Sequence, residues 1–308
     1  MPTKDRGWLL PQAIDSVLSQ DYPNIECIVV DAASTDNTLS VLKSYGDRIR
    51  WLSEPDKGPY DAINKGWALC HGEIMTWLNA DDRWRPGAVR TAVDYFLADA
   101  SVDVLYGDCG AIDVNSRLME VYPAREWDLE EAVANCDHII NQAASFMRRE
   151  IVERVGYLYP AWAHDQDLWL RIAMAGGRFK AVRHHLADAR IWADNFGSSF
   201  AIIAPAKVSL TQRFFARTDL PENLTKLRAR AFSNSYFRAA QYIDLKRPQD
   251  YWEGFSLLAR ALLADPRNTA YICTTIGTRV LYNFVILCET RVPPTKRIRP
   301  LLRSLRNR

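Results

Sequence analysis

The sequence contains no CxxC pair and no zinc-ligand spacing: its six cysteines (Cys27, Cys70, Cys109, Cys136, Cys273, Cys288) lie scattered, several of them inside apolar runs. A disulfide framework and a cysteine-built metal centre are therefore set aside, and these residues read as small core side chains in a reducing, cytosolic setting. There is no early glycine-rich loop with a Lys or Arg to cradle phosphates, which speaks against a nucleotidyltransferase. Met1 to Gly7 has no apolar core of the kind a secretory leader needs. An excess of either charge is missing as well, since 39 Lys and Arg face 37 Asp and Glu, a balance that argues neither for nor against nucleic acid; no nucleic-acid partner is expected.

What is present is an ordinary globular composition, 48% hydrophobic and 25% charged over 308 residues, enough for one large core or a medium core with an appendage. The balance hides an asymmetry, because seven Lys or Arg and no acid follow Glu289. The most informative stretch is Ile74 to Asp82, where an apolar run breaks into Asn79, Asp81 and Asp82. It reads as a buried strand delivering carboxylates to a sheet edge, where open α/β sheets bind ligands and where acids can hold a metal and, through it, a phosphate. A turn with a capping Asp is the plain alternative.

A second acid closes a second apolar strand, Ile25 to Asp31. Helical patterns alternate with these strands: 8 to 20, Leu39 to Tyr45 after the capping group Ser34-Thr35-Asp36, Tyr60 to Cys70, and Pro86 to about Leu97. That alternation implies βαβ units and a mostly parallel sheet. Val102 to Tyr106 and the more exposed Leu118 to Tyr122 read as further strands, and Asp165 stands just ahead of a helix faced by Leu168 and Ile172. An N-cap explains that Asp completely. Asp167 and Arg171, four apart, read as a helix-face ion pair.

Together these pieces resemble a family 2 glycosyltransferase with the GT-A fold over residues 1 to about 200. The residues that carry the resemblance are Pro2 to Gly7, Ser16 to Asn24, Val30-Asp31 with Ser34-Thr35-Asp36, and Asp56-Lys57-Gly58 through Asp61 to Gly66. They continue with Gly72-Glu73-Ile74, Leu78 to Asp82 with Pro86, and Asp165 to Arg171.

The resemblance implies an inverting, metal-dependent transfer of a sugar from a nucleoside diphosphate donor, a UDP-sugar first, to a hydroxyl of a saccharide or lipid-linked acceptor, in polysaccharide or glycoconjugate assembly. It puts Thr3, Asp31, Asp61, Asn79 and Asp81 on the donor, with Asp31 at the base or ribose and the Pro2 to Lys4 loop beside the nucleoside. The family's DxD motif falls on Asn79-Ala80-Asp81, so Asp81 and the Asn79 carbonyl are the expected ligands of Mg²⁺ or Mn²⁺, and Asp82 a supporting group. Asp165 matches the catalytic base, while His164 replaces the acid that precedes it in the family; a solvated loop histidine is the other reading. Gly197-Ser198-Ser199 resembles a loop over the donor phosphates, or else an ordinary turn. His184-His185 reads as a strand-edge pair, and Asn141-Gln142 as a group facing the acceptor or a polar turn. A non-catalytic nucleotide-sugar-binding or scaffold protein on the same fold is the rival, motivated by Asn79, by His164 and by the opening of the chain. In the family an apolar strand precedes the Pro-Thr loop, and its absence would expose two neighbouring strand edges.

The expected organisation is a GT-A catalytic domain over 1–204, a helical hairpin region over 205–268, and an apolar helix with a basic tail over 269–308. Residues 269 to 288 are apolar apart from Arg279, Asn283 and a few threonines. Association with the inner face of the membrane and a core helix with a solvated tail both fit that pattern, and a membrane span fits less well because of Arg279.

Overall fold

The computed structural model describes residues 1–135, 139–160, 163–192, 200–240 and 248–274. The expectations for Gly197-Ser198-Ser199 and for the basic tail lie outside those residues. The first half of the chain runs β1 (Pro2–Thr3), α1 (Leu10–Leu18), β2 (Ile28–Asp31), α2 (Thr38–Ser44), β3 (Arg50–Ser53), α3 (Pro59–Leu69), β4 (Ile74–Met75), β5 (Arg83–Trp84) and α4 (Ala88–Ala98). It continues with β6 (Val104–Ile112), β7 (Leu118–Tyr122), α5 (Leu129–Asn135), β8 (Ser145–Arg148), α6 (Arg149–Val155), α7 (His164–Met174) and β9 (Phe179–Arg190). Four helices follow: α8 (Phe200–Phe215), α9 (Glu222–Thr225), α10 (Arg228–Ala240) and α11 (Pro248–Ala264).

The strands form two sheets, a three-stranded one in the order β1-β2-β3 and a six-stranded one in the order β4-β8-β6-β9-β5, with β7 on the free stretch of β6. The small sheet is parallel throughout, as strand–helix alternation requires. In the larger sheet β6 and β9 are parallel, whereas the β4–β8, β6–β8, β6–β7 and β5–β9 pairs are antiparallel. The β6–β7 pair shows why: a tight turn from Asp113 to Arg117, closed by Asp113 N donating to Arg117 O at 3.0 Å, returns the chain without a helical crossover.

Successive strand residues serve opposite faces, and here both faces are covered. Leu105 and Phe146 join α1, α2 and α4 in one core through Leu10, Ile14, Leu42, Ala92 and Phe96. Val104, Tyr106 and Met147 point the other way, into a core shared with Ile63 and Trp67 of α3, Leu168 and Ile172 of α7, and Phe214 and Phe215 of α8. The boundary expected between 204 and 205 falls inside α8. Side-chain bonds tie the C-terminal helices to the sheet domain: Lys207 Nζ donates to Gln166 Oε1 at 3.1 Å and Asn234 Nδ2 to Ala134 O at 2.7 Å. Among the described residues no helix is long and apolar enough to cross a membrane.

The two sheets part between β2 and β4. A groove of about 170 Å³ lies there, walled by Cys27 and Ile28 on one side and Ile74 and Leu78 on the other, with Trp67 and Phe146 lining it from the two faces. Met1 closes one end: its O accepts from Val30 N at 2.9 Å and its amino group donates to Ile28 O at 2.7 Å, so it continues the register of β1 along β2. Burial pushes that amino group down to about 6.

Candidate active site

The carboxyl end of β2 is a strand of four buried residues ending in an acid. The parallel register sets Asp31 beside Thr3 on one neighbour and Ser53 on the other. Asp31 is fully buried, and its carboxylate accepts from Ser34 N at 3.0 Å, from Ser34 Oγ and from Ser53 Oγ at 2.6 Å. Three bonds from its own chain fix the orientation of the Asp31 carboxylate at the strand end, and contact with the base or ribose remains the expectation for it. The Thr3 hydroxyl beside it is buried and has no hydrogen-bond partner among the described residues. Such an orphaned group is costly unless something completes it.

The loop after β1 is braced against the loop after β2. Asp5 Oδ1 accepts from Thr35 N at 2.7 Å, and Asp36 accepts from Gly7 N at 3.0 Å and Thr38 N at 2.9 Å. A Cβ on Gly7 would lie 2.8 Å from the backbone N of Thr38, which cannot swing aside as a side chain can, so this close approach favours glycine.

The acidic turn after β4 is closed by Asp82 N donating to Asn79 O at 3.1 Å. Its two carboxylates are treated differently. Asp82 is buried and accepts from Asn79 Nδ2 at 3.0 Å and Arg190 N at 2.9 Å. Burial first, and the charge of Asp81 second, push its carboxyl well above the usual range, so the turn avoids two full negative charges. Asp81 is half-buried; Oδ2 accepts from Trp192 Nε1 at 3.2 Å, and Oδ1 accepts nothing among the described residues. Because the Asn79 amide nitrogen faces Asp82, its carbonyl oxygen is also left over.

Two hard oxygens from residues two apart on one turn, one charged and one neutral, are donor types that suit a divalent cation such as Mg²⁺ or Mn²⁺ taking its other ligands from a diphosphate. Among the described residues no group of three or more His, Cys, Asp and Glu is arranged to hold a metal without such help.

The turn is fixed from both sides. Trp84 N donates to Ser16 Oγ at 3.1 Å, and Gln20 bonds Arg85 O at 3.0 Å and Val89 N at 3.2 Å, so α1 holds the entry to α4. Asp61 is elsewhere engaged. It lies in the first turn of α3, accepting from Lys57 N at 3.2 Å and pairing with Lys65 at 3.3 Å. Partial burial works to raise its carboxyl, but the Lys57 amide and the Lys65 ammonium outweigh it and the net shift is downward.

Asp165 corrects another expectation. Helix α7 begins at His164, with Ala163 at the cap position and no side-chain cap, so Asp165 stands half-buried inside the first turn rather than ahead of it. The Trp77 ring stacks on Trp169 with centroids 6.1 Å apart and lies 6.5 Å from the His164 ring, which brings the start of α7 alongside the segment that runs into Asn79. The Asp167–Arg171 pair is formed at 2.8 Å, and the same guanidinium donates to the carbonyls of Val155, Gly156 and Tyr157, fixing the approach to α7. Asn141 caps a short turn, accepting from Ala143 N at 3.1 Å, and His185 pairs with Asp188 at 2.7 Å.

Sequence reading missed the end of β9. Trp192, already bonded to Asp81, lies 4.9 Å beneath the Arg6 guanidinium and meets the half-exposed Trp8 edge-on at 5.8 Å. Through Trp192 these contacts join the loop beside Thr3 to the acidic turn, and the side between them is called the mouth. Arg190 grips the same turn from inside. Its only sequence signal is a cation closing a long strand pattern.

Comparison with known proteins bears on this geometry. The sequence model described as Glycosyl transferase family 2 matches residues 1–156. An uncharacterized glycosyltransferase of Nostoc sp. is 26% identical over 284 residues, covering 82% of this chain and 87% of that protein. The GalNAc(5)-diNAcBac-PP-undecaprenol beta-1,3-glucosyltransferase of Campylobacter jejuni is 25% identical over 181 residues, 56% of this chain and 58% of that protein. Among solved structures, the mannosyltransferase PcManGT from Pyrobaculum calidifontis, in complex with GDP-Man and Mn²⁺, superposes with a TM-score of 0.61 at 19% identity, over 92% of this chain and 79% of that one. S. aureus TarS 1-349 in complex with UDP-GlcNAc gives 0.62 at 18% identity, over 88% and 82%.

Proposed function

As a member of glycosyl transferase family 2, this chain is a glycosyltransferase on the GT-A fold, and we propose that it moves a sugar from a nucleoside diphosphate donor to an acceptor hydroxyl with inversion, assisted by a divalent metal. The observation that carries the reading is the division of labour in the Asn79–Asp82 turn, where Asp82 is buried and satisfied while Asp81 keeps an oxygen open at the mouth. The donor set supports Mg²⁺ or Mn²⁺ held by Asp81 and Asn79. Thr3, with Asp31 behind it, lines the nucleoside side, and a UDP-sugar is the first donor to try.

In this reading the acceptor oxygen attacks the anomeric carbon, the bond to the diphosphate breaks, and the electron pair leaves with the phosphate. The acceptor proton passes to the Asp165 carboxylate, which is half-buried in the first turn of α7. When bound, the metal neutralises the departing diphosphate; unit charges ~4 Å apart at an effective dielectric of ~20 interact by about 4 kcal/mol. Trp192 orients Asp81, and Trp77 seats the helix that carries the base. Asp61 serves the donor only through the loop it braces.

A saccharide or lipid-linked acceptor and a role in polysaccharide or glycoconjugate assembly agree with the names of two relatives, an O-antigen biosynthesis protein of Myxococcus xanthus and the Campylobacter glucosyltransferase whose name includes a PP-undecaprenol glycan. We assign the catalytic region to residues up to β9 and a buttressing role to α8–α11.

The test is turnover of a panel of nucleoside diphosphate sugars, with Mg²⁺, Mn²⁺ or chelator. Diphosphate release from one donor, abolished by chelation, is the expected result. Donor binding without turnover on any acceptor would return the scaffold reading.

A further inference from the structure

Arg190, the last residue of β9, is 2% exposed. Its guanidinium reaches neutral oxygens from three parts of the chain: Nε donates to Asp81 O at 2.9 Å, Nη1 to Asp113 O at 2.7 Å and Val114 O at 3.2 Å, and Nη2 to Gln12 Oε1 at 2.7 Å. Both terminal nitrogens also lie 3.2 Å from Ser116 Oγ. Its backbone N donates to Asp82 Oδ1 at 2.9 Å.

A buried cation is a poor choice for stability alone, since apolar side chains of similar volume pack a core at least as well. What only a guanidinium supplies is a planar fork of five donors and a permanent charge. Here the fork spans α1, the β6–β7 turn and the acidic turn at once, and the charge lies under two adjacent carboxylates.

We propose that Arg190 is a positioning residue for the metal-ligand turn: it locks the Asp81 backbone so that the free Asp81 oxygen and the Asn79 carbonyl face one cation. The inference rests on reading Asp81 as a metal ligand. A strut for the β6–β7 turn alone would account for the bonds to Asp113, Val114 and Ser116, but not for those to Asp81 and Asp82.

The test is Mn²⁺ uptake by the full chain in the presence of UDP or GDP, followed by electron paramagnetic resonance of the free ion, for the wild type, R190K and R190Q. Affinity for UMP or GMP without metal, and thermal melting by circular dichroism, are measured alongside. Loss of a partner behind a metal ligand typically weakens metal binding by roughly 10- to 100-fold. R190Q is expected to show a loss in that range with metal-free nucleotide affinity within about twofold, and R190K a smaller loss. A merely structural role would lower the melting temperature and leave the Mn²⁺ titration where it was, which overturns the proposal. If R190Q does not fold, Gln12→Ala and Ser116→Ala loosen the same fork while keeping the charge; a weaker Mn²⁺ titration in both supports the proposal and an unchanged one defeats it. A wild-type chain that takes up no Mn²⁺ with either nucleotide overturns the metal reading itself. Normal wild-type uptake with an indifferent R190Q overturns only the role of Arg190.

Discussion

The two sheets end in acids that are used in opposite ways. In the small parallel sheet Asp31 is fully buried and its oxygens are engaged by Ser34 and Ser53. In the larger sheet the burden is split: Asp82 is buried and satisfied, so that Asp81 can stay half-buried with one oxygen open. In the proposed reading the first carboxylate is a wall and the second a ligand, and the difference lies in how many donors the chain itself supplies. On that proposal the small sheet shapes the nucleoside side, and the larger one presents the charges that meet the reaction.

If that contrast is right, the largest effects come from the larger sheet and from α7 packed on it. Asp165→Asn keeps the helix turn and removes the base, so kcat should fall by about 10²- to 10⁴-fold with donor KM little changed. Weakened donor binding with turnover per bound donor intact would remove Asp165 from that role. Asp81→Asn should cost about 10²- to 10³-fold in kcat and raise the metal concentration needed for half activity. Asp31→Asn is the counterpart that could break the comparison. It should leave kcat within about threefold and instead lower stability by about 1–3 kcal/mol, because a buried amide cannot accept all the bonds a carboxylate takes. A kcat loss equal to that of Asp81→Asn at unchanged melting temperature would show that both acids are ligands.

The groove at the junction of the sheets gives a pH-dependent effect of intermediate size. The Met1 amino group titrates near 8.0 when unfolded and at about 6 when folded, so between those values the unfolded chain binds more protons and stability rises with pH. Below about pH 6 the full penalty applies, on the order of 3 kcal/mol for the shift from 8.0 to about 6, and above pH 8 it is gone. Extending the chain ahead of Met1 by a short apolar, extended segment should remove this slope and fill the space between Ile28 and Ile74. Melting temperatures at pH 6 and pH 9 measure it; a slope that persists in the extended chain would mean that another group causes it.

Much of this contrast was legible in residue order. The acid that closes β2, the exposed strand Leu118–Tyr122 and the Asp167–Arg171 pair follow from patterns a few residues long, which the chain forms locally. The strand expected to run into Asn79–Asp82 instead stops at Met75 and leaves the acids on a turn ahead of β5. The rest depends on partners far apart. Nothing near Asp81 signals that Arg190, 109 positions later, holds its carbonyl, or that Ser53, 22 positions after Asp31, donates to that acid. Asp165 was placed about two positions too far ahead of its helix, since a cap and a first-turn acid share a sequence pattern and differ only in backbone. The mixed larger sheet was hidden for a similar reason: alternation reports the order of elements, and direction is decided where a turn as tight as Asp113–Arg117 reverses the chain.

The smallest effect tests the nucleoside side most directly. Thr3 is 6% exposed and its hydroxyl has no partner among the described residues. In the free protein that hydroxyl is a liability, and Thr3→Val, which keeps the shape and removes the orphaned group, should leave stability unchanged or raise it slightly. With donor bound the sign reverses if the nucleoside completes the hydroxyl, because one hydrogen bond worth about 0.5–1.5 kcal/mol is lost, or roughly a 2- to 12-fold rise in donor KM with kcat unchanged. A gain in melting temperature without ligand, together with a smaller shift on adding UDP or GDP, separates this from a packing defect, which would lower both. If KM does not move, the hydroxyl is simply buried, and the nucleoside side of the mouth is shaped by the Ser34 and Ser53 hydroxyls that Asp31 holds in place.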